Sequence, residues 1–257
     1  MRCTQETKNS FVEFVVYCSF MSVAENIALV REQIAGAARR AGRQPEEITL
    51  MAVSKTFSSE HVREAYAAGL RLFGESRVQE FIGKAEALRD LRDIEWHMIG
   101  HLQANKAAKA GELFACVESV DSLRLARRLD AAAAQAGRQL SALIEINIGG
   151  EQAKSGVSPE SSELEEILQA APELKCLQIH GLMSVPPFAE DPEEARPYFR
   201  RLRELQKRIA ARNPSRVHVG VLSMGMSHDF EVAIEEGSTC VRVGTAIFGE
   251  RTRPGGG

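Results

Sequence analysis

The chain has 257 residues, of which 44% are hydrophobic, so it can bury the core of one barrel-sized domain or of two smaller ones. Its 32 basic and 35 acidic residues give a net charge of −3 without a basic face or tail, which argues against nucleic acid as a partner. The five cysteines are odd in number and form no CxxC pair, which favours free thiols in a reducing, cytoplasmic compartment over disulfides or a zinc site.

The first residues form a segment that we expect to be a dispensable extension outside the fold. Residues 11–21 are apolar, but Glu13 interrupts them, no small-residue cleavage site follows, and the run is too short to span a bilayer. We therefore expect no membrane partner. The predicted organisation is an extension at 1–21, a folded domain at 22–251 and a tail at 252–257.

Helix-like and strand-like segments alternate along the remainder of the chain. The first helix covers 22–41, with Ser22 and Glu25 at capping-box spacing. The predicted strands cover residues 48–53, 71–73, 94–98, 114–118, 141–147, 175–182, 217–222 and 239–243. The later helices cover residues 58–68, 76–90, 104–111, 122–136, 160–171, 192–211 and 228–236. This periodicity predicts an α/β protein with a single (β/α)8 TIM barrel and an extra N-terminal helix. A doubly wound open sheet is the second choice, because no glycine-rich dinucleotide fingerprint follows the first strand.

Lys55 stands where the first predicted strand opens into a loop. Functional residues of a TIM barrel lie at the carboxyl-terminal ends of its strands. A lysine there is partly shielded from water, which favours the neutral amine that a carbonyl compound needs to form a Schiff base. The alternative is a lysine that merely extends its ammonium group into solvent.

Two glycine-bearing segments follow the last two predicted strands, where this fold places its phosphate site. Ser223–Ser227 ends a strand and opens the helix to Glu236, so its N–H groups and hydroxyls would surround an anion. Val243–Ala246 offers a second such turn, with Arg242 beside it either in a structural ion pair or as a donor into the barrel mouth. An amine, a phosphate cup and a nearby donor suit pyridoxal 5'-phosphate better than a sugar phosphate.

Several motifs resemble those of the pyridoxal phosphate homeostasis proteins (the YggS/PROSC family), whose fold is similar to the barrel of bacterial alanine racemase. The matching segments are 52–56, 73–75, 78–80, 96–103, 105–106, 154–156, 181–184, 222–227 and 241–249, and the resemblance covers roughly residues 22–251. It implies pyridoxal 5'-phosphate as cofactor, bound by Lys55 as a Schiff base, Ser76, His97, Met183, Ser223, Gly225, Arg242, Gly244 and Thr245.

The resemblance also assigns more specific roles. Ser223, Gly244 and Thr245 would hold the phosphate, Arg242 would face the pyridine nitrogen, and His97 and Met183 would line the pocket. Ser76 departs from the asparagine that is usual in the family, which puts its contact in doubt. Lys154 matches a lysine implicated in a secondary cofactor contact, and a solvated loop lysine is the alternative.

The resemblance implies a carrier that keeps pyridoxal phosphate in homeostasis and has no established catalytic activity, with apo-enzymes that use the cofactor as possible recipients. A weak amino-acid racemase is the alternative, but it needs a second base opposite the lysine. The tyrosines, Tyr17, Tyr66 and Tyr198, follow no predicted strand. A sugar-phosphate isomerase ranks lower, since no acid and base pair stands out. We expect a monomer and no metal ligand set.

Overall fold

The computed structural model describes residues 21–151 and 154–250, and its eight parallel strands close into a barrel in chain order. The strands are β1 (Thr49–Val53), β2 (Leu72–Glu75), β3 (Glu95–Met98), β4 (Cys116–Val120), β5 (Leu140–Glu145), β6 (Leu177–Met183), β7 (Val217–Met226) and β8 (Cys240–Val243). The barrel closes because β8 pairs with β1, with Cys240 opposite Thr49. The predicted TIM barrel is therefore confirmed, and the open-sheet alternative is wrong.

Helices surround the barrel and follow the predicted alternation. In the described ranges they are α1 (Val23–Arg40), α2 (Ser59–Ala67), α3 (Val78–Ala87), α4 (Ala107–Leu113), α5 (Leu123–Gln135), α6 (Ser162–Ala170), α7 (Arg196–Arg212), α8 (Phe230–Glu235) and α9 (Thr245–Phe248). Short 3-10 turns lie at Pro45–Glu47, Ala104–Lys106, Ala171–Glu173 and Pro192–Ala195.

The extra N-terminal helix, α1, begins with the predicted capping box. Ser22 Oγ accepts the N–H of Glu25, and Glu25 Oε2 accepts the N–H of Ser22 at 2.8 Å. Its buried Asn26 donates to the carbonyl of Ile247 at 3.0 Å, which ties α1 to α9. Residues 1–20 of the predicted extension at 1–21, and the whole predicted tail at 252–257, lie outside the described residues.

Apolar packing lies mainly between the helices and the outer surface of the barrel. Three large clusters of buried side chains fill this layer. The barrel interior differs, because a small apolar group of Cys116, Leu143 and Met183 shares it with Glu118 and Arg242, which are also buried. Burial of a charged group inside a barrel costs free energy unless the group is paired or hydrogen-bonded. The partners of Glu118 and Arg242 are therefore described with the candidate site.

No helix within 21–151 or 154–250 has both the length and the apolar character that a membrane crossing needs. The described cysteines, Cys116, Cys176 and Cys240, are free thiols, as their spacing predicted.

Candidate functional site

Lys55 lies directly beyond β1, at the carboxyl-terminal mouth of the barrel, and is half-buried. The backbone turns sharply at this point: Thr56 has φ of 70°, and the N–H of Phe57 donates to the carbonyl of Ser54 at 3.1 Å. A positive φ is unusual for a β-branched residue, and such strain tends to concentrate at functional sites.

A buried ion pair supports the segment that carries Lys55. Glu75, at the end of β2, accepts from Ser54 Oγ at 2.7 Å and from Lys84 Nζ of α3 at 2.5 Å. Lys84 also donates to the carbonyl of Ser54 at 2.8 Å. The residue before Lys55 is thus held through both its side chain and its carbonyl.

Arg242 projects from β8 into the barrel and is only 4% exposed. Its guanidinium donates to Ser223 Oγ at 2.7 Å and to the carbonyl of Ser184 at 2.8 Å. The hydroxyl of Ser184 is buried at the end of β6 and has no hydrogen-bond partner among the described residues. Arg242 is thus a hydrogen-bond donor inside the barrel, and its contact with a cofactor stays a prediction.

Ser227 joins the two predicted phosphate turns. Its hydroxyl accepts the N–H groups of Gly244 at 3.2 Å and of Ala246 at 3.4 Å. Gly225 has φ of 92°, and a Cβ built there would lie 2.6 Å from the Cβ of Ala233, so only glycine fits. The N–H groups of Gly244 and Ala246 therefore converge on one oxygen atom, that of the Ser227 hydroxyl.

The end of β7 differs from the prediction. The expected strand stopped at residue 222 and a turn at 223–227 opened the next helix, whereas β7 runs to Met226 and α8 begins at Phe230. Ser223 is consequently a strand residue that faces the barrel interior, where it donates to Glu118 Oε2 at 2.6 Å. The prediction failed because Gly225 was taken for a turn, although the strand continues through it with a positive φ.

A cavity of about 570 Å³ opens at the carboxyl-terminal mouth. Lys154 and Glu145 lie on its wall; Lys154 pairs with Glu151 and donates to the carbonyl of Pro186 at 3.3 Å. Burial raises the pKa of Glu145, which the hydrogen bond from Ser155 opposes. The cavity thus contains both a cation and a carboxyl group that protonates more readily than usual.

His97 occupies a different place from the one predicted. In the strand register His97 pairs with Gly74, and Gly74 pairs with Val53, which precedes Lys55 by two residues. The His97 ring lines a cavity at the amino-terminal ends of the strands. The cofactor role of His97 stays a prediction, and its ring lines the end of the barrel opposite to Lys55. Its Nδ1 lies 2.7 Å from Glu118 Oε1, and its Nε2 lies 3.0 Å from an oxygen of Glu95.

These carboxylates control the charge of His97. Burial opposes protonation of the ring, but the hydrogen bonds to Glu118 and Glu95 outweigh it and raise the pKa of His97 to about 9. Burial likewise opposes ionisation of Glu118, yet the hydrogen bond to His97 leaves the pKa of this carboxyl below its usual value. His97 and Glu118 therefore form an ion pair at neutral pH.

The remaining predicted residues lie at or below the mouth. Ser76 follows β2 and packs so closely on Gly100 that a Cβ at residue 100 would lie 2.4 Å from the Ser76 carbonyl oxygen. Met183, the last residue of β6, is buried with Cys116 and Leu143 in the interior. Thr245 begins α9, directly after Gly244.

Comparison with known proteins places the chain in a family. The family described as "Alanine racemase, N-terminal domain" matches residues 24–252. The "Pyridoxal phosphate homeostasis protein" of Aquifex aeolicus is 46% identical over 90% of this chain and 99% of its own length. The protein of the same name from Escherichia coli K12 is 44% identical over 89% and 97%. The chain belongs to the family of pyridoxal phosphate homeostasis proteins.

Solved structures agree with this family assignment. PipY from Synechococcus elongatus, solved with pyridoxal phosphate bound, is 38% identical, has a TM-score of 0.77, and is matched over 89% of this chain and 100% of its own. Alanine racemase from Clostridium difficile has a TM-score of 0.66 at 16% identity, with 90% of this chain and 58% of the racemase covered, and shares the fold.

Three polar residues inside the barrel or at its mouth were not predicted from the sequence: Lys84, Glu118 and Ser227. Glu118 is the one acidic residue of β4, and its side chain points into the barrel, as that of Cys116 two residues earlier does. Its position in an apolar strand was a detectable signal. Lys84 is the one basic residue of α3, but nothing in the sequence shows that it reaches Glu75 and the carbonyl of Ser54. Ser227 lay in a motif already noted, but its contact with Gly244 depends on how β7 ends.

Proposed function

We propose that this protein binds pyridoxal 5'-phosphate at the carboxyl-terminal mouth of the barrel and holds it on Lys55 as a reversible Schiff base. One observation carries the proposal: the end of β1, which bears Lys55, lies against the turn after β8. A Cβ built at Gly244 would lie 3.2 Å from the carbonyl oxygen of Val53. An amine and a pair of N–H groups suited to an anion therefore lie within the span of one small molecule.

The donor set of the mouth fits this cofactor. The phosphate needs N–H and hydroxyl donors, and the N–H groups of Gly244 and Ala246, which Ser227 Oγ accepts in the absence of a ligand, would supply them together with the Ser227 hydroxyl. The buried hydroxyl of Ser184 is without a protein partner, as expected for a group that a ligand completes. The close approach of Gly225 to α8 keeps side-chain bulk out of the same turn. When bound, the cofactor supplies an electrophilic aldehyde.

Arg242 is the residue we assign to the pyridine nitrogen. A guanidinium stays charged and only donates, so it leaves the ring nitrogen unprotonated and makes the cofactor a weaker electron sink. Ser223 is better assigned to positioning Arg242 than to holding the phosphate, because its single proton is already donated to Glu118. Ser76, Met183, Thr245 and, for a secondary contact, Lys154 remain proposed cofactor residues.

We assign the protein to cofactor homeostasis, as a carrier or buffer, and not to catalysis. Racemisation on two faces needs a second base opposite Lys55. Within the described residues, the hydroxyl of Tyr66 donates to Asp93 at 2.5 Å, and Tyr198 packs against the outer apolar layer. Both lie away from the mouth, and the relatives are named for homeostasis. Delivery to apo-enzymes and a monomeric state are part of this proposal.

Replacement of Lys55 tests the site. Lys55→Ala should abolish the absorbance of the Schiff base in protein incubated with pyridoxal phosphate, and borohydride reduction should no longer add the cofactor's mass. Lys154→Ala is the comparison variant and should keep both signals, because Lys154 is assigned a secondary contact and no bond to the aldehyde. Retention of the adduct in Lys55→Ala would show that another lysine carries the cofactor.

Proton exchange separates the carrier from the racemase. The protein loaded with cofactor is incubated with L-alanine in deuterated water, and deuterium at the α-carbon is followed by NMR. A carrier gives exchange no faster than that of free pyridoxal phosphate and transfers its cofactor to an apo-enzyme. Multiple turnovers at catalytic amounts of protein would overturn the carrier assignment.

A further inference from the structure

The amino-terminal mouth of the barrel contains a second cavity, of about 730 Å³, that the proposed function does not use. It opens between the first residues of several strands, on the side opposite to Lys55. Three chemically different ligands, His97, Cys116 and Glu118, line it together. Their nitrogen, sulfur and oxygen atoms all lie within 4.8 Å of one another.

We propose that His97 Nδ1, Cys116 Sγ and a carboxylate oxygen of Glu118 bind a divalent zinc ion. Zinc takes imidazole, thiolate and carboxylate ligands at about 2.0–2.3 Å, so ligand atoms around it lie roughly 3–4 Å apart. Small side-chain movements bring the three atoms to that spacing. The thiolate favours zinc over the hard cations magnesium and calcium, which prefer oxygen ligands.

The neighbours of these ligands are arranged as the outer shell of a metal site. The second nitrogen of His97 faces Glu95 at 3.0 Å, so its N–H donates to a carboxylate, while Nδ1, 2.7 Å from Glu118 Oε1, coordinates once the proton between them has left. The second oxygen of Glu118 accepts from Ser223 at 2.6 Å, which fixes the carboxylate plane. Each of these two ligands is therefore already oriented by a partner that coordination leaves in place.

Zinc binding releases two protons from its ligands. The ion takes the place of the proton that His97 and Glu118 share across 2.7 Å, and the thiol of Cys116 loses its own proton to become a thiolate. Both protons leave through the cavity to solvent. The three ligands leave a fourth position that faces the cavity, where a water molecule completes the tetrahedron.

Equilibrium dialysis of the metal-free protein against zinc tests the proposal. All variants are made with Cys3→Ser and Cys18→Ser, so that thiolate signals come only from the three cysteines of the described region. We expect one zinc per chain, and cobalt in its place should give a thiolate charge-transfer band. Absence of zinc binding in this parent protein would overturn the proposal.

Variants assign the ligands. Cys116→Ser should remove the cobalt charge-transfer band and weaken zinc binding by more than tenfold, while Cys176→Ser, outside the cavity, should change neither. Loss of the band in Cys240→Ser with retention in Cys116→Ser would refute the assigned thiol. Lys55→Ala should bind zinc as the parent does, since it alters only the opposite mouth; failure of cofactor binding and failure of zinc binding are thereby distinguished.

Glu95→Gln provides a variant that does not threaten folding, because the Glu95 side chain is 60% exposed. Loss of an outer-shell carboxylate typically weakens metal binding by about 10–100-fold. We expect a loss in this range, with the circular dichroism spectrum and the number of sites unchanged. Unaltered zinc affinity in Glu95→Gln would contradict the proposed coordination through His97 Nδ1.

Discussion

Thr56 shows how a single backbone conformation shapes the candidate site. Its φ of 70° lies in the left-handed region, where a β-branched residue is strained by roughly 1–2 kcal/mol. β1 ends at Val53, and this conformation lies in the turn directly after Lys55. Arg216 also has a positive φ, of 61°, but follows α7 on the far side of the fold. Comparison of variants at the two positions therefore distinguishes the effect of backbone strain in general from that of strain beside Lys55.

We predict that Thr56→Gly raises the free energy of unfolding by up to about 1 kcal/mol, because relief of strain exceeds the added chain entropy of glycine. The same variant should weaken binding of pyridoxal phosphate, since the loop that presents Lys55 becomes less restricted. Urea unfolding and spectrophotometric titration measure the two effects. Arg216→Gly should change stability alone; an equal loss of cofactor affinity there would contradict the local explanation.

At the scale of secondary-structure elements, the pair of Lys84 and Glu75 joins α3 to the ends of β1 and β2. Both side chains are buried, at 10% and 1% exposed, so each charge depends on the other. One oxygen of Glu75 has no further partner among the described residues, which makes the carboxylate especially dependent on Lys84. A buried ion pair adds little net stability. Its main effect here is to hold Ser54, directly after β1, in place.

Lys84→Met should lower the free energy of unfolding by about 3–5 kcal/mol, because it leaves the charge of Glu75 buried and unpaired. The double variant Glu75→Leu with Lys84→Met should recover most of that loss, since no buried charge remains. Chemical denaturation of both proteins provides the measurement. A cost below about 1 kcal/mol in the single variant would mean that water reaches the carboxylate.

At the scale of the whole molecule, a cluster of charged side chains links three of the helices that surround the barrel, α1, α7 and α8. Glu236, directly after α8, is 4% exposed and accepts from Arg196 at 3.2 Å and Arg200 at 2.9 Å, both on α7. On the other side, Arg40 of α1 pairs with Glu235 at 2.7 Å. The cluster thereby connects the first helix of the described fold to two of its last helices.

This cluster should make the protein sensitive to acid. Burial opposes ionisation of Glu236, but the hydrogen bonds from Arg200 and Arg196 outweigh it and lower the pKa of this carboxyl. A depressed pKa stabilises the fold above the ordinary glutamate range, near pH 4.5, and this contribution disappears as the pH falls through the folded-state value.

We expect Glu236→Gln to lower the free energy of unfolding by about 1–2 kcal/mol at pH 7, discounted for the exposure of Arg200. The difference from the parent protein should shrink toward zero at low pH, where the parent carboxyl is protonated too. Thermal unfolding across this pH range measures it. A difference that stays constant with pH would mean that packing, and not charge, is responsible.

Much of this protein follows from its sequence alone. The alternation of strands and helices, the capping box of α1 and the placement of Lys55 at a strand end all depend on residues close together in the chain. The apolar period and cap residues are local properties, so they could be identified without the fold. The resemblance to the homeostasis family rested on the same short segments, and the relatives confirm it.

Only the tertiary structure decided which polar side chains meet. His97 was predicted at the cofactor and lies at the opposite mouth, while Ser223 and Arg242 meet Glu118 from across the barrel. The cysteine spacing argued against a metal site, yet the pairing of β3 with β4 sets Cys116 opposite His97. The reason is physical: these contacts depend on the register between strands, which shifts within the pairs β4–β5 and β7–β8. The sequence of one strand shows which of its residues point into the barrel, but it does not show which residues of the other strands they meet there.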